Sequence, residues 1–149
     1  MINFPIYRQE VTMADIRNTG TWQRVERGLS DMANLVSRGE YNLALVKSRQ
    51  TMEQIVRLSA GQNFVVYTDL ADTIEKLYQG HYITKSSRDA FHTIRMLGNK
   101  AVHEGDNDPQ DAARSYRLLD QEINAFVSGG RSQEAPADRE RPAEQTPQR

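Results

Sequence analysis

Phe91-His92-Thr93-Ile94-Arg95-Met96-Leu97-Gly98-Asn99-Lys100-Ala101-Val102-His103-Glu104 decides how this chain is read, because it carries two chemistries on one period. At about 100° per residue on a helix, Arg88, His92, Arg95, Asn99 and His103 fall within roughly 80° of one another, whereas Ala90, Ile94, Leu97, Gly98 and Ala101 lie around the opposite side. A helix of this kind packs into a core on one face and presents basic and amide groups on the other. Just upstream, Ser86-Ser87-Arg88-Asp89 has the capping-box spacing and sets the expected helix start. Its end is expected near His103-Glu104-Gly105. Asp108-Pro109-Gln110-Asp111 then supplies a cap, a proline at the first helical position and an acid in the first turn.

The same period runs through the rest of the chain. Trp22, Val25, Leu29, Met32 and Val36 step by three and four and predict a first helix ending near Ser37-Arg38-Gly39. Tyr41, Ala44, Leu45, Met52, Ile55 and Val56 predict a second, longer helix that closes at Ala60-Gly61. Phe64-Val65-Val66-Tyr67 is β-prone but has no partner run, so it reads as a connection packed on the bundle. Thr68-Asp69 opens a short third helix with Leu70, Ile74, Leu77 and Tyr78 on its apolar face, stopping at Gly80. Ala112, Ala113, Tyr116, Leu119, Ile123 and Phe126 complete the fifth helix, the one that starts after Asp108.

Five helices with short loops and no strand pairs predict an all-α antiparallel bundle over residues 21–128. Residues 1–20 read as an N-terminal arm. Beyond Ser128 there is no Ile, Leu, Val, Met or aromatic residue, so residues 129–149 bury too little apolar surface to offset ordering entropy and are expected to form a disordered tail or linker.

Composition narrows the function classes. Nineteen basic against twenty acidic residues in 149 give a net charge of -1, which removes a general attraction to phosphate but leaves room for a local basic patch. The absence of cysteine excludes disulfides, thiolate zinc sites and cysteine nucleophiles. No window approaches the roughly 18 apolar residues of a membrane span and the N-terminus lacks a signal-peptide pattern, so a soluble cytoplasmic protein without membrane contact is expected.

Metal ligation is tested by distance. His92 and His103 share a face, but eleven residues at about 1.5 Å each separate them by roughly 16 Å, so no metal site and no cofactor are expected. Ser86, Ser87 and Ser115 lack a nucleophile elbow, and the isolated glycines Gly61, Gly80, Gly98 and Gly105 mark helix ends or close helix contacts rather than a phosphate loop. Arg95, Asn99 and His103 are spaced i, i+4, i+8, so adjacent members can meet one bound group. Arg49 and Glu53 form a further i, i+4 pair on the second helix, and the sequence leaves open whether they face the fourth.

Tyr41-Asn42-Leu43-Ala44-Leu45-Val46-Lys47-Ser48-Arg49-Gln50-Thr51-Met52-Glu53-Gln54-Ile55-Val56, followed by Ile94-Arg95-Met96-Leu97-Gly98-Asn99-Lys100-Ala101-Val102-His103-Glu104, resembles an uncharacterised helical domain, domain of unknown function 4145. It is found at the N-terminus of type I restriction-enzyme R subunits and in stand-alone bacterial proteins. That domain is grouped with the HEPN superfamily, helical bundles that often dimerise and include metal-independent ribonucleases. The resemblance covers roughly residues 22–127 and is carried most by the Arg-x-x-Gly-Asn-x-Ala-x-His segment.

Ribonucleolytic members of that superfamily have an arginine followed by a histidine after four to six intervening residues. Seven stand between Arg95 and His103 here, and Asn99, where a four-residue reach would fall, supplies no cation. The resemblance therefore implies a non-catalytic HEPN-like module that dimerises or docks in a bacterial restriction or defence assembly. Two alternatives stand beside it. One is a metal-independent endoribonuclease using His103 and Arg95. The other is a module binding RNA or a nucleotide without turnover through Arg88, Arg95 and Lys100. Arg88, His92, Asn99, Lys100, Arg49 and Glu53 are the candidate binding residues.

Overall fold

The computed structural model describes residues 19–61 and 69–129. The expected arm up to residue 18, the Phe64–Tyr67 connection and the tail from residue 130 lie outside the described residues. Within them the chain forms five helices and no strand: α1 (Gly20–Ser37), α2 (Tyr41–Ala60), α3 (Leu70–Gln79), α4 (Lys85–Glu104) and α5 (Pro109–Gly129).

Local chemistry sets most of the helix ends. Thr19 accepts from the Trp22 N–H at 3.1 Å and starts α1, and Asp69 accepts from the Ala71 N–H at 3.0 Å and starts α3. Helix α5 opens as expected, with Asp108 accepting from the Gln110 N–H at 2.9 Å ahead of Pro109. The start of α4 differs from the expected capping box at Ser86. Thr84 is the cap, accepting from the Ser87 N–H at 3.1 Å, and the chain is already helical at Lys85. Ser87 is buried as a consequence and Ser86 is exposed. At the other end of α4, Gly105 adopts φ 71° and closes the helix through its N–H to Ala101 O, the left-handed stop that glycine permits without a Cβ clash.

Antiparallel pairing follows from side-chain register. On α1 and α2, Gly28 lies against Thr51 and Asp31 lies 3.9 Å from Lys47, so the helices run in opposite directions. On α2 and α4, Arg49 lies against Gly98, while Asn42, seven residues earlier, reaches Ala101 and Asp106. Ser48 meets Ser115 and Leu45 shares a cluster with Ala112, which lays α5 along α2 in the same direction. The main core brings Trp22, Met32, Met52, Phe91, Leu119 and Phe126 together. Trp22, near the start of α1, stacks on Phe126, near the end of α5, with centroids 5.8 Å apart and an interplanar angle of 21°.

The apolar stripes are those read from the period, with two shifts. On α5, Ala113 is exposed and Ser115 takes the buried position. On α4, Leu97 is half-buried and Phe91 is fully buried, so the core-facing arc is centred on Phe91, Ile94, Gly98 and Ala101.

Candidate functional site

The polar stripe of α4 divides into two halves with different environments. Its N-terminal half is covered by α3, whose Glu75 was not among the expected site residues. One carboxylate oxygen of Glu75, Oε2, accepts from Arg88 Nε at 2.8 Å and from His92 Nε2 at 2.6 Å. Arg88 also lies over the Tyr78 ring, its guanidinium carbon 4.9 Å from the centroid. On the far side of the imidazole, Arg95 Nε donates to His92 Nδ1 at 3.3 Å. An arginine has only donors, so Nδ1 holds the lone pair and Nε2 carries the proton given to Glu75. The five side chains form a relay from Tyr78 and Glu75 on α3 to Arg95 on α4.

Electrostatics agree with that geometry. Glu75 is held below its ordinary pKa by the hydrogen bonds from Arg88 and then His92, against a smaller opposing effect of burial. Arg88 is pushed up, first by the same Glu75 hydrogen bond. Both shifts favour the charged forms, as expected for hydrogen-bonded partners of opposite sign.

The C-terminal half of the stripe faces outward. Asn99 is half-buried and His103 is exposed, and neither has a hydrogen bond or ion pair among the described residues. Around them lie Met96 and Val102, 53% and 60% exposed, two of the three large hydrophobic side chains left open to solvent among the described residues. Eight helical positions separate Arg95 from His103, a rise of about 12 Å. Within one copy of the chain the two do not converge on one phosphate-sized group. Lys100, a further candidate, lies 3.8 Å from Asp111 on α5.

Arg49 does face α4. Its Cβ, Cγ and Cδ lie over Gly98, while Arg49 Nη1 lies 3.7 Å from Glu53 Oε1. The antiparallel register then puts Glu53 level with Ile94 and Arg95, and Glu53 itself lines the groove between α2 and α1.

The outward half of α4 is held in place by α2. Asn42 Nδ2 donates to Ala101 O at 2.9 Å and to Asp106 O at 2.7 Å. In return Asn107 Oδ1 accepts from the Asn42 N–H at 2.8 Å. Glu40, which precedes α2, makes no side-chain capping bond, so Asn107 satisfies an orphan amide of the first turn of α2 from 65 residues away. Beside it, Asp111 is pushed above its ordinary pKa, first by its hydrogen bond with Asp106 and then by burial.

This arrangement, an Arg49-on-Gly98 crossing beside a helix that ends in Asn99 and His103, lies inside the segment matched by a known family. Residues 30–132 match a domain of unknown function, DUF4145. The chain belongs to the DUF4145 family. The match takes in the whole of α2, α3, α4 and α5, and so every residue of the candidate site. No curated protein and no solved structure matches this DUF4145 chain.

Glu75, Asn42 and Asn107 are the residues that reading the sequence passed over. The available signal was indirect: Arg88 and His92, one turn apart on the flank of a helix, call for an acceptor on whichever helix packs there. No helix among the described residues is long and apolar enough to cross a membrane.

Proposed function

We propose that this DUF4145 chain is a non-catalytic, HEPN-like binding and assembly module, soluble and cytoplasmic. In this reading it docks through the outward half of α4 to a second copy or to a larger bacterial restriction or anti-phage defence assembly. The observation that carries the reading is the engagement of Arg95. Its Nε is bonded to His92, which is bonded to Glu75, so the arginine expected to hold a scissile phosphate is tied into the α3–α4 contact by one of its donors and held away from His103. Met96 and Val102, exposed beside Asn99 and His103, give the same face apolar area to bury.

The alternative, a metal-independent endoribonuclease, draws support from His103, which is exposed and available as a general acid–base. One experiment separates the two. Light scattering on the eluting protein is expected to give a multiple of the 17.0 kDa chain mass, falling to the single mass in Met96→Glu/Val102→Glu. RNA incubated with the protein in EDTA is expected to stay intact. A monomer at all concentrations would remove the self-assembly reading, and RNA cleavage lost in His103→Ala would establish the ribonuclease.

A further inference from the structure

A second polar site lies in a groove of about 380 Å³ between α1 and α2. Helix pairs ordinarily bury apolar side chains, yet none of the side chains lining this groove is aliphatic or aromatic. The cause is the crossing at Gly28. A Cβ there would collide with the Thr51 side chain, so the backbones approach closely and the long polar side chains on either side splay around the contact. Arg24 and Arg27 line the α1 wall, and Lys47, Gln50 and Gln54 line the α2 wall.

The charges in the groove are unbalanced. Its lining carries Arg24, Arg27 and Lys47 against the two carboxylates Asp31 and Glu53, and Glu53 has a further cation, Arg49, 3.7 Å away, while Asp31 lies 3.9 Å from Lys47, too far for a hydrogen bond. Arg24 and Arg27 are exposed and have no ion pair among the described residues. They stand three residues apart on one helix face, where like charges repel. Asp31, one turn after Arg27, is turned to α2 and does not relieve them.

We propose that this groove binds a phosphoryl anion, with Arg24 and Arg27 as the principal ligands and Lys47, Gln50 and Gln54 as further donors. Guanidinium pairs match the oxygen geometry of phosphate, and amide donors add hydrogen bonds without adding charge. The volume is at the small end of small-molecule sites. With no aromatic side chain in the lining there is no platform for stacking a base, so recognition is of the phosphates themselves. The site shares no residue with the α4 stripe and stands apart from the assembly reading.

Titration calorimetry on the full chain in EDTA, with sodium pyrophosphate in one arm and a short single-stranded RNA in the other, tests this at 50 and 200 mM salt. Saturable binding of pyrophosphate is expected, weakened about tenfold or more in Arg24→Gln/Arg27→Gln and weakened again by salt. Arg114→Gln/Arg117→Gln, which removes the same charge from the exposed face of α5, is expected to bind as wild type. Binding of RNA alone, lost in the α1 variant, assigns the phosphates to a strand. No saturable heat with either probe, an α1 variant that binds as wild type, or equal loss in the α5 variant overturns the proposal.

Discussion

Gly98 of α4 lies under Arg49 of α2 so closely that a Cβ at residue 98 would come within 2.5 Å of the Arg49 Cβ. That atom is fixed by the α2 backbone, so no rotamer change relieves the clash and the two helices must part. Overpacking of this kind costs about 1–3 kcal/mol, and replacing a helical glycine by alanine returns about 1 kcal/mol. Gly98→Ala is therefore expected to lower stability by up to roughly 2 kcal/mol, read as a lower urea midpoint at unchanged slope. An unchanged or raised midpoint would show that the crossing is looser than this.

Ser48 and Ser115 form a buried hydroxyl pair 2.6 Å apart between α2 and α5. Removing one partner strands the other without water, at a cost of about 1–3 kcal/mol, whereas removing both leaves nothing unsatisfied. Ser48→Ala and Ser115→Ala are each expected to destabilise more than the double variant does. Additive losses in a double-mutant cycle would contradict this pairing.

How much of this was legible in the sequence depends on the kind of information required. Helix positions and buried stripes follow from spacing along one chain, and Trp22, Val25, Met32, Ile74 and Leu119 are buried where the period placed them. Whether Arg49 faces α4 depends on the rotation and register of two helices, which no single-helix period contains. The start of α4 is ambiguous in the sequence because Thr84, Ser86 and Ser87 all have capping hydroxyls within four positions. The cap is decided by which backbone first turns helical. Glu75 went unnoticed for a related reason. Its role exists only because α3 covers one half of a stripe that, read alone, looks uniformly solvent-facing.

Glu75 makes a pH prediction. Its folded pKa is below the ordinary value of 4.5, so the stabilisation it gives is present above about 4.5 and lost as the pH falls through the lowered folded value. The difference in urea midpoint between wild type and Glu75→Gln is expected to be constant at neutral pH and to shrink in acid, reaching its floor below 4.5. A difference that does not change with pH would mean that Glu75 acts by packing rather than by charge.

Asp111 has the opposite sign. Its folded pKa lies above the ordinary 3.8, so the stabilisation from its hydrogen bond with Asp106 is complete below about 3.8 and is lost as the pH rises through the raised value. Relative to wild type, Asp111→Asn is expected to gain stability as the pH rises from 3 to 7, because the amide cannot ionise beside Asp106. Parallel stability profiles for the two proteins would rule out a shared proton at this pair.

Asn42 ties α2 to the end of α4 that carries His103. Its amide donates to two carbonyls, Ala101 O and Asp106 O, which flank the last turn of α4 and the Gly105 stop. Asn42→Ala removes two part-buried hydrogen bonds, a loss of about 0.5–1.5 kcal/mol for each. Asn42→Asp is expected to be worse, because a carboxylate donates nothing and would stand against the same two oxygens. The conservative change therefore costs more than truncation, the reverse of what side-chain size alone predicts. Chemical-shift changes on His103 and Asn99 in Asn42→Ala, with the Trp22 and Phe126 signals unmoved, would show that α2 positions the outward half of α4. Changes spread evenly through the core would show instead that Asn42 serves the bundle as a whole.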